Sequence, residues 1–374
     1  SITVITSITS LSVSPTSKTL NIGETVQLTG TKNPSTTSEG TQWTSSNTSV
    51  ATVSNSGLVT AKSAGTATIT FKNSSSTKFA SCNVTIVSSD IIIGGNTGFD
   101  ATNVILKYNN NGNLVWKKDV TTNSYSNAFK CDINAVGTFK DGSIIVGAGA
   151  SSYDNVIIKY DKNGNTIWKK SIPTYYYNSK NQYYKINTIN ITNDDNIIVG
   201  ANSQYDGAEK IIIKYDSNGN LIWKKDVTTN TRTNGFDCSI KQVLCSTDEN
   251  IIVSAGGDTV SDSQDKVIIK YDKNGNLIWK KSVPTYYDNG ETRYYRISTT
   301  NINNNNEIIV GANGSTDSSS KSLLKYDSNG NLIWKKDIPS YKSGEYYYIE
   351  KMNITNKNEI IVGVDSYSDS QGRA

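Results

Sequence analysis

The chain has 374 residues, 35% of them apolar, with one Met, 6 Trp, 22 Tyr and a formal net charge of +4. That length accommodates one small domain and one large one, and a bias to Ser, Thr, Asn, Tyr, Ile and Val without sustained helical spacing predicts an all-β fold. Only Arg232, Arg293, Arg296 and Arg373 supply guanidinium groups and no basic stripe appears, so nucleic acid is excluded as a partner. No apolar run is long enough to span a membrane, and the absence of His removes the commonest general base and the commonest metal ligand.

In chain order, residues 1–8 read as a linker. The opening SITVITSITS lacks the basic and apolar regions of a secretion signal, so either a signal has been removed or export uses another route. Residues 9–88 contain no Tyr and consist of short alternating runs, such as Thr25–Thr29 and Thr66–Phe71, separated by Gly, Asn and Ser clusters. That spacing predicts a small β-sandwich. The stretch Ser49–Phe71 (SVATVSNSGLVTAKSAGTATITF), with Trp43 before it and Ser81–Val87 after it, resembles the group 2 bacterial immunoglobulin-like domain. Gly57 then serves a hairpin and Gly65 the turn into the next core strand. The resemblance implies a spacer or display module of bacterial and phage surface proteins.

Residues 89–374 repeat themselves. The unit KYD-NGNLIWKK recurs around Trp116, Trp168, Trp223, Trp279 and Trp334, at spacings of 52, 55, 56 and 55 residues. Each copy has an apolar strand, an Asn-Gly turn and a strand ending in Trp-Lys-Lys; Asn-Gly supplies the positive φ of a tight hairpin. An IIVG-type strand precedes each pair, and a further strand such as Tyr184–Ile191 precedes that. Four short antiparallel strands per period describe a propeller blade. The repeats resemble the bacterial SBBP-type propeller repeat and, more distantly, quinoprotein blades. Five Trp-marked blades are expected if Tyr346–Asn353 closes onto Ile91–Lys118, or a larger ring if the chain is truncated. The unfilled terminal blade is a candidate site for self-assembly.

No catalytic, metal-binding or cofactor-binding residues stand out. The Asp-x-Asn-Gly-Asn turns (Asp161, Asn163, Asn165 and their copies) have oxygen side chains at alternate positions, but lack the bidentate Glu of a calcium loop; the hairpin reading is preferred. A sialidase aspartate box puts its aromatic residue three positions after the Gly, whereas Trp223 lies four after Gly219. Cys82, Cys131, Cys238 and Cys245 are too scattered for a disulfide framework and read as buried thiols.

The connections between blades carry Tyr-rich runs at Pro173–Tyr184, Pro284–Tyr295 and Pro339–Tyr348, alternating with TTN-type linkers. Such links gather on one face of a propeller. Exposed Tyr with Asn, Asp and Arg can stack on sugars or make a protein interface, although these rings can equally pack between blades. Tyr175, Tyr176, Tyr286, Tyr287, Arg293, Arg296 and Tyr341 are the candidate ligand contacts. The expected function is a non-catalytic binding or adhesion protein of the extracellular bacterial surface, its partner a surface glycan or protein. A phage virion or filament subunit and a polysaccharide-degrading enzyme are the alternatives.

Overall fold

The computed structural model describes residues 7–368 except 88–89, 96–102, 110–111, 121–131, 150–154, 178, 204–209, 228–238, 257–265, 289, 315–320, 339–344 and 356–357. Among the described residues there is no helix; every regular element is a strand. The first domain is a sandwich. One sheet has the order Ser17–Asn21, Phe79–Val87, Gly65–Asn73, Thr41–Ser45, with the first pair parallel. The other has the order Thr25–Gln27, Leu58–Ala61, Ala51–Val53, while Ser10–Ser14 pairs with Thr29–Asn33. Alternation along Gly65–Asn73 and Phe79–Val87 sends Ala67, Ile69, Phe71, Cys82, Val84 and Ile86 into one core. Trp43 stacks on Phe71 with ring centroids 4.7 Å apart. Gly57, at φ 86°, is the hairpin glycine the sequence called for, and its bare Cα lies against Trp43 and the Leu28 carbonyl.

The second domain is a run of blades with strands A to D from the inside outwards. Among the described residues blade 1 shows B, C and D: Ile91–Gly95, Val104–Tyr108 and Leu114–Asp119. Blades 2 to 5 have all four. Their A strands are Asp132–Thr138, Lys180–Ile191, Ser239–Cys245 and Arg296–Ile302, and their B strands are Ile144–Gly149, Ile197–Ser203, Ile251–Gly256 and Ile308–Asn313. C strands follow at Val156–Tyr160, Lys210–Tyr215, Val267–Tyr271 and Lys321–Tyr326, and D strands at Thr166–Ser171, Leu221–Asp226, Leu277–Ser282 and Leu332–Asp337. Blade 6 shows A (Glu345–Ile354) and B (Ile360–Ser368). Closure of a five-bladed ring by Tyr346–Asn353 on Ile91–Lys118 is not what forms. That segment pairs instead with Ile360–Ser368 over nine residue pairs, with a bulge between Ile349 and Lys351.

The C–D turn folds as its sequence dictates. Asp161 Oδ1 accepts the backbone N–H of Asn163 at 2.9 Å and of Asn165 at 2.8 Å, while Oδ2 accepts Asn165 Nδ2 at 2.9 Å. Gly164 supplies φ 84°. The same cage recurs at Asp216, Asp272 and Asp327. These carboxylates therefore cap turns, and their oxygens are engaged by the turn's own donors.

Successive blades are joined by a repeated seam. The five Trp occupy equivalent places on the D strands, half-buried, and in four of them the indole N–H reaches across to the next blade's turn. Trp116, Trp168, Trp223 and Trp279 donate to the carbonyls of Lys162, Ser217, Lys273 and Ser328 at 3.0, 3.3, 3.3 and 3.3 Å. In the first four repeats the Lys before the Tyr of the C strand donates to the same carbonyl: Lys107, Lys159, Lys214 and Lys270, at 3.2, 3.0, 3.1 and 3.1 Å. These four Lys are buried, so the carbonyl replaces water for the ammonium. At the inner end, Asn202 clips the backbone of Ile240 through both amide atoms, and Asn313 clips Ile349 in the same way. Cys82 is buried and Cys245 half-buried, its thiol pushed up to about 12 mainly by burial; Cys131 and Cys238 lie outside the described residues.

Candidate ligand-binding hairpins

The Tyr-rich links of blades 3 and 5 form β-hairpins that lead into the A strand. Thr174–Tyr177 pairs with the start of Lys180–Ile191, placing Tyr175 opposite Gln182 and Tyr176 opposite Asn181. Thr285–Asp288 pairs with Glu291–Tyr294, placing Tyr286 opposite Arg293 and Tyr287 opposite Thr292. Residues with φ 61° (Ser179) and φ 83° (Gly290) make the turns. Strand pleating then sends Tyr286 and Tyr287 to opposite sides.

That alternation divides the candidate contacts. Tyr175 and Tyr286 were expected to meet ligand, and the structure corrects this: they are 6% and 5% exposed and belong to the inter-blade core. Each packs a ring at 4.6 Å on a second Tyr: Tyr175 on Tyr184 of the A strand, and Tyr286 on Tyr295 just before the A strand. Tyr287, the next residue, is 74% exposed. Arg296 is half-buried, and its Nε is buried with no hydrogen-bond partner among the described residues. Tyr176 and Arg293 lie on the hairpin strands, opposite Asn181 and Tyr286 in register. Tyr341 lies outside the described residues.

Blade 5 adds a polar group that sequence reasoning missed. The Tyr295 hydroxyl lies 2.7 Å from Ser322 Oγ, and Ser322 donates in turn to Asp337. Lys335 Nζ is 3.5 Å from Asp337 and 5.1 Å from the Tyr295 ring centroid. Burial works against the Lys335 charge, but the Tyr295 hydroxyl and the Asp337 carboxylate outweigh it and raise the ammonium pKa. The signal was present in the repeats: Ser322 stands where the other copies have Val104, Val156, Ile211 and Val267. The group ties Tyr295, between the Tyr286–Tyr287 hairpin and the A strand, to the C and D strands of its own blade. Blade 3 keeps the Lys-over-Tyr contact, Lys224 on Tyr184 at 5.4 Å, but has Ile211 in place of the serine. Among the described residues no group of three or more His, Cys, Asp and Glu is arranged to hold a metal ion, and no helix is long and apolar enough to cross a membrane.

Residues 7–84 match the family model described as bacterial Ig-like domain (group 2), and residues 100–353 match the one described as outer membrane protein assembly factor BamB. Both fit a secreted, periplasmic or surface protein. No curated protein sequence matches the chain. Among solved structures it is similar to a protein of unknown function from Bacteroides caccae, with 14% identity, TM-score 0.36 and coverage of 67% of this chain and 94% of that one. It is similar to a europium-containing methanol dehydrogenase at 13% identity and TM-score 0.40, covering 78% of this chain and 66% of that one. The periplasmic gluconolactonase PpgL of Pseudomonas aeruginosa gives 8% identity and TM-score 0.40, with coverage of 76% and 93%.

Proposed function

The chain belongs to the propeller family described as outer membrane protein assembly factor BamB, and on that premise we propose that it is a non-catalytic binding protein of the bacterial surface. The blades are of the SBBP-type variant, judged by the repeated Gly-Asn-Leu-Ile-Trp element, and the immunoglobulin-like domain holds them away from the surface. The partner is a surface glycan or protein, taken up by the Tyr-rich hairpins. One observation carries this reading: Tyr287 is 74% exposed while Tyr286 beside it is 5% exposed. An aromatic ring held out on a hairpin whose neighbouring ring is locked in the core is pre-organised for stacking, since little conformational freedom remains to be lost on binding.

The test is a glycan array probed with the wild-type chain and with Tyr287→Ala. The expected result is a set of glycans bound by the wild type and lost with Tyr287→Ala, at unchanged melting temperature. Equal binding by both proteins would place the interaction face away from this hairpin. Turnover of a bound polysaccharide, seen as new reducing ends, would overturn the non-catalytic reading.

A further inference from the structure

The hairpins of blades 3 and 5 are near copies, and one buried position sets apart the side chains beneath them. Tyr175 stacks on Tyr184 with the ring planes 44° apart, and Tyr286 on Tyr295 with the planes 39° apart. A D-strand lysine stands over the inner ring each time, Lys224 or Lys335. An aspartate closes each D strand, Asp226 opposite Ile211 and Asp337 opposite Ser322 in the C–D register. Ile211 and Ser322 are both 0% exposed. Blade 3 thus has the residue types of the blade 5 group except for the C-strand hydroxyl.

The hydrogen bonds beneath the blade 5 hairpin have a fixed sense. The Ser322 hydroxyl has one proton, and it goes to Asp337. The Tyr295 O–H, 2.7 Å from Ser322 Oγ, is therefore the donor in that pair, which leaves its oxygen to accept from the Lys335 ammonium. Lys335 Nζ in turn lies 3.5 Å from Asp337. The donors run from ammonium to phenol to hydroxyl to carboxylate, and each bond polarises the next. Ile211 offers neither donor nor acceptor, so it cannot carry such a chain in blade 3. Tyr295 is 1% exposed and supports the Tyr286 ring, and Tyr287 follows Tyr286 in the same strand.

We propose that Ser322 is a positioning residue of the ligand site, fixing Tyr295 and through it the hairpin that presents Tyr287. This role rests on Tyr287 being the ligand contact proposed above. Ser322 is fully buried and touches no ligand; it acts through the ring it anchors. A residue selected for packing alone would be the Val or Ile that the other four blades have at this place, since an aliphatic side chain there needs no partner. The serine gives up apolar burial, and the hairpin it holds has less freedom to lose on binding.

Ser322→Val and Ser322→Thr test this on the full chain. The two variants have nearly the same shape and differ in the hydroxyl, and the other blades accept a branched residue at this position. With Ser322→Val, amide hydrogen exchange is expected to quicken by about tenfold in Thr285–Asp288 and Glu291–Tyr294, while Thr174–Tyr177 keeps its rate. With Ser322→Thr both hairpins should exchange as in the wild type. Titrated on the array glycans that the wild type binds, Ser322→Val should bind about tenfold more weakly, at a melting temperature no lower than that of the wild type, and Ser322→Thr should bind normally. Equal losses with Val and Thr overturn the proposal, because packing and not the hydroxyl would then decide. Binding kept by Ser322→Val but lost with Tyr287→Ala overturns it too, and leaves the reading of Tyr287 standing. A wild type that binds no glycan on the array sinks that reading and the binding role of Ser322 together.

Discussion

Tyr286 and Tyr287 are neighbours in sequence and opposite in setting, and substitutions separate what each does. Tyr286→Ala empties a ring-sized space beside Tyr295 and is expected to cost about 3–4 kcal/mol, measured by urea unfolding. Tyr287→Ala removes a ring that water already reaches, and its cost is expected to stay under about 0.5 kcal/mol. The caged aspartates make a second prediction at this scale. The Asp161 pKa is lowered, chiefly by the Asn165 side chain, and that of Asp327 chiefly by the Asn331 backbone N–H. At Asp216 and Asp272 burial pulls upward first, but the N–H donors of Asn220 and Asn276 win and the pKa is again lowered. A carboxyl group depressed by folding stabilises the fold above its unfolded value and loses that contribution as pH falls through its folded value. The melting temperature is therefore expected to hold between neutrality and about pH 5 and to fall below about pH 4. Exchanging all four for Asn should flatten that acid limb, and an unchanged slope would place the acid sensitivity elsewhere. What sequence showed at this scale was the turn, because Asp, Asn and Gly act locally. Which Tyr is exposed depends on the strand pleat inside a linker and on the ring it meets across the hairpin, and sequence spacing carries neither. Ser322 was readable as a polar break in an aliphatic column, but its partners Tyr295 and Asp337 come together only through blade pairing.

At the scale of the strand and its neighbour, the seam concentrates two donors on one carbonyl. Trp223 and Lys214 both reach the oxygen of Lys273. Trp223→Phe removes one hydrogen bond but leaves the other donor in place, so the carbonyl stays satisfied; Lys214→Met does the converse. Each is expected to cost about 1–2 kcal/mol, whereas the double variant leaves the carbonyl without either donor and should cost more than the sum. Additive costs in a double-mutant cycle would mean that the two contacts are independent. Trp223→Ala also strips half-buried ring area and is expected to cost about 2–3 kcal/mol, below the range for a fully buried Trp. The repeat showed in sequence that the five Trp are equivalent, since equal spacing on equal hairpins leaves no other arrangement. It did not show the buried Lys. A cation beside Tyr reads as a solvated residue until the next blade's turn carbonyl is placed above it. The turns also bear on metal binding. With the carboxylate oxygens engaged by Asn donors, a chelator is expected to leave the melting temperature unchanged, and a drop restored by calcium would overturn the turn assignment.

For the whole molecule, the cores predict how stability is distributed. The sandwich core, from Val13 to Ile86, shares no member with the four clusters that run from Ile105 to Tyr326. Those four are each built between two adjacent blades, so the second domain is a one-dimensional array whose stability sums nearest-neighbour seams. Blades 2 to 5 are covered front and rear along their B strands, whereas blades 1 and 6 are covered on one side only. Native-state hydrogen exchange should therefore protect Ile197–Ser203 and Ile251–Gly256 most strongly. Ile91–Gly95 and Ile360–Ser368 should exchange fastest among the B strands, because opening a terminal sheet breaks one seam and opening a middle blade breaks two. Measured at low protein concentration, this order reflects the isolated chain. Uniform protection across all B strands would mean that a single cooperative unit replaces the array.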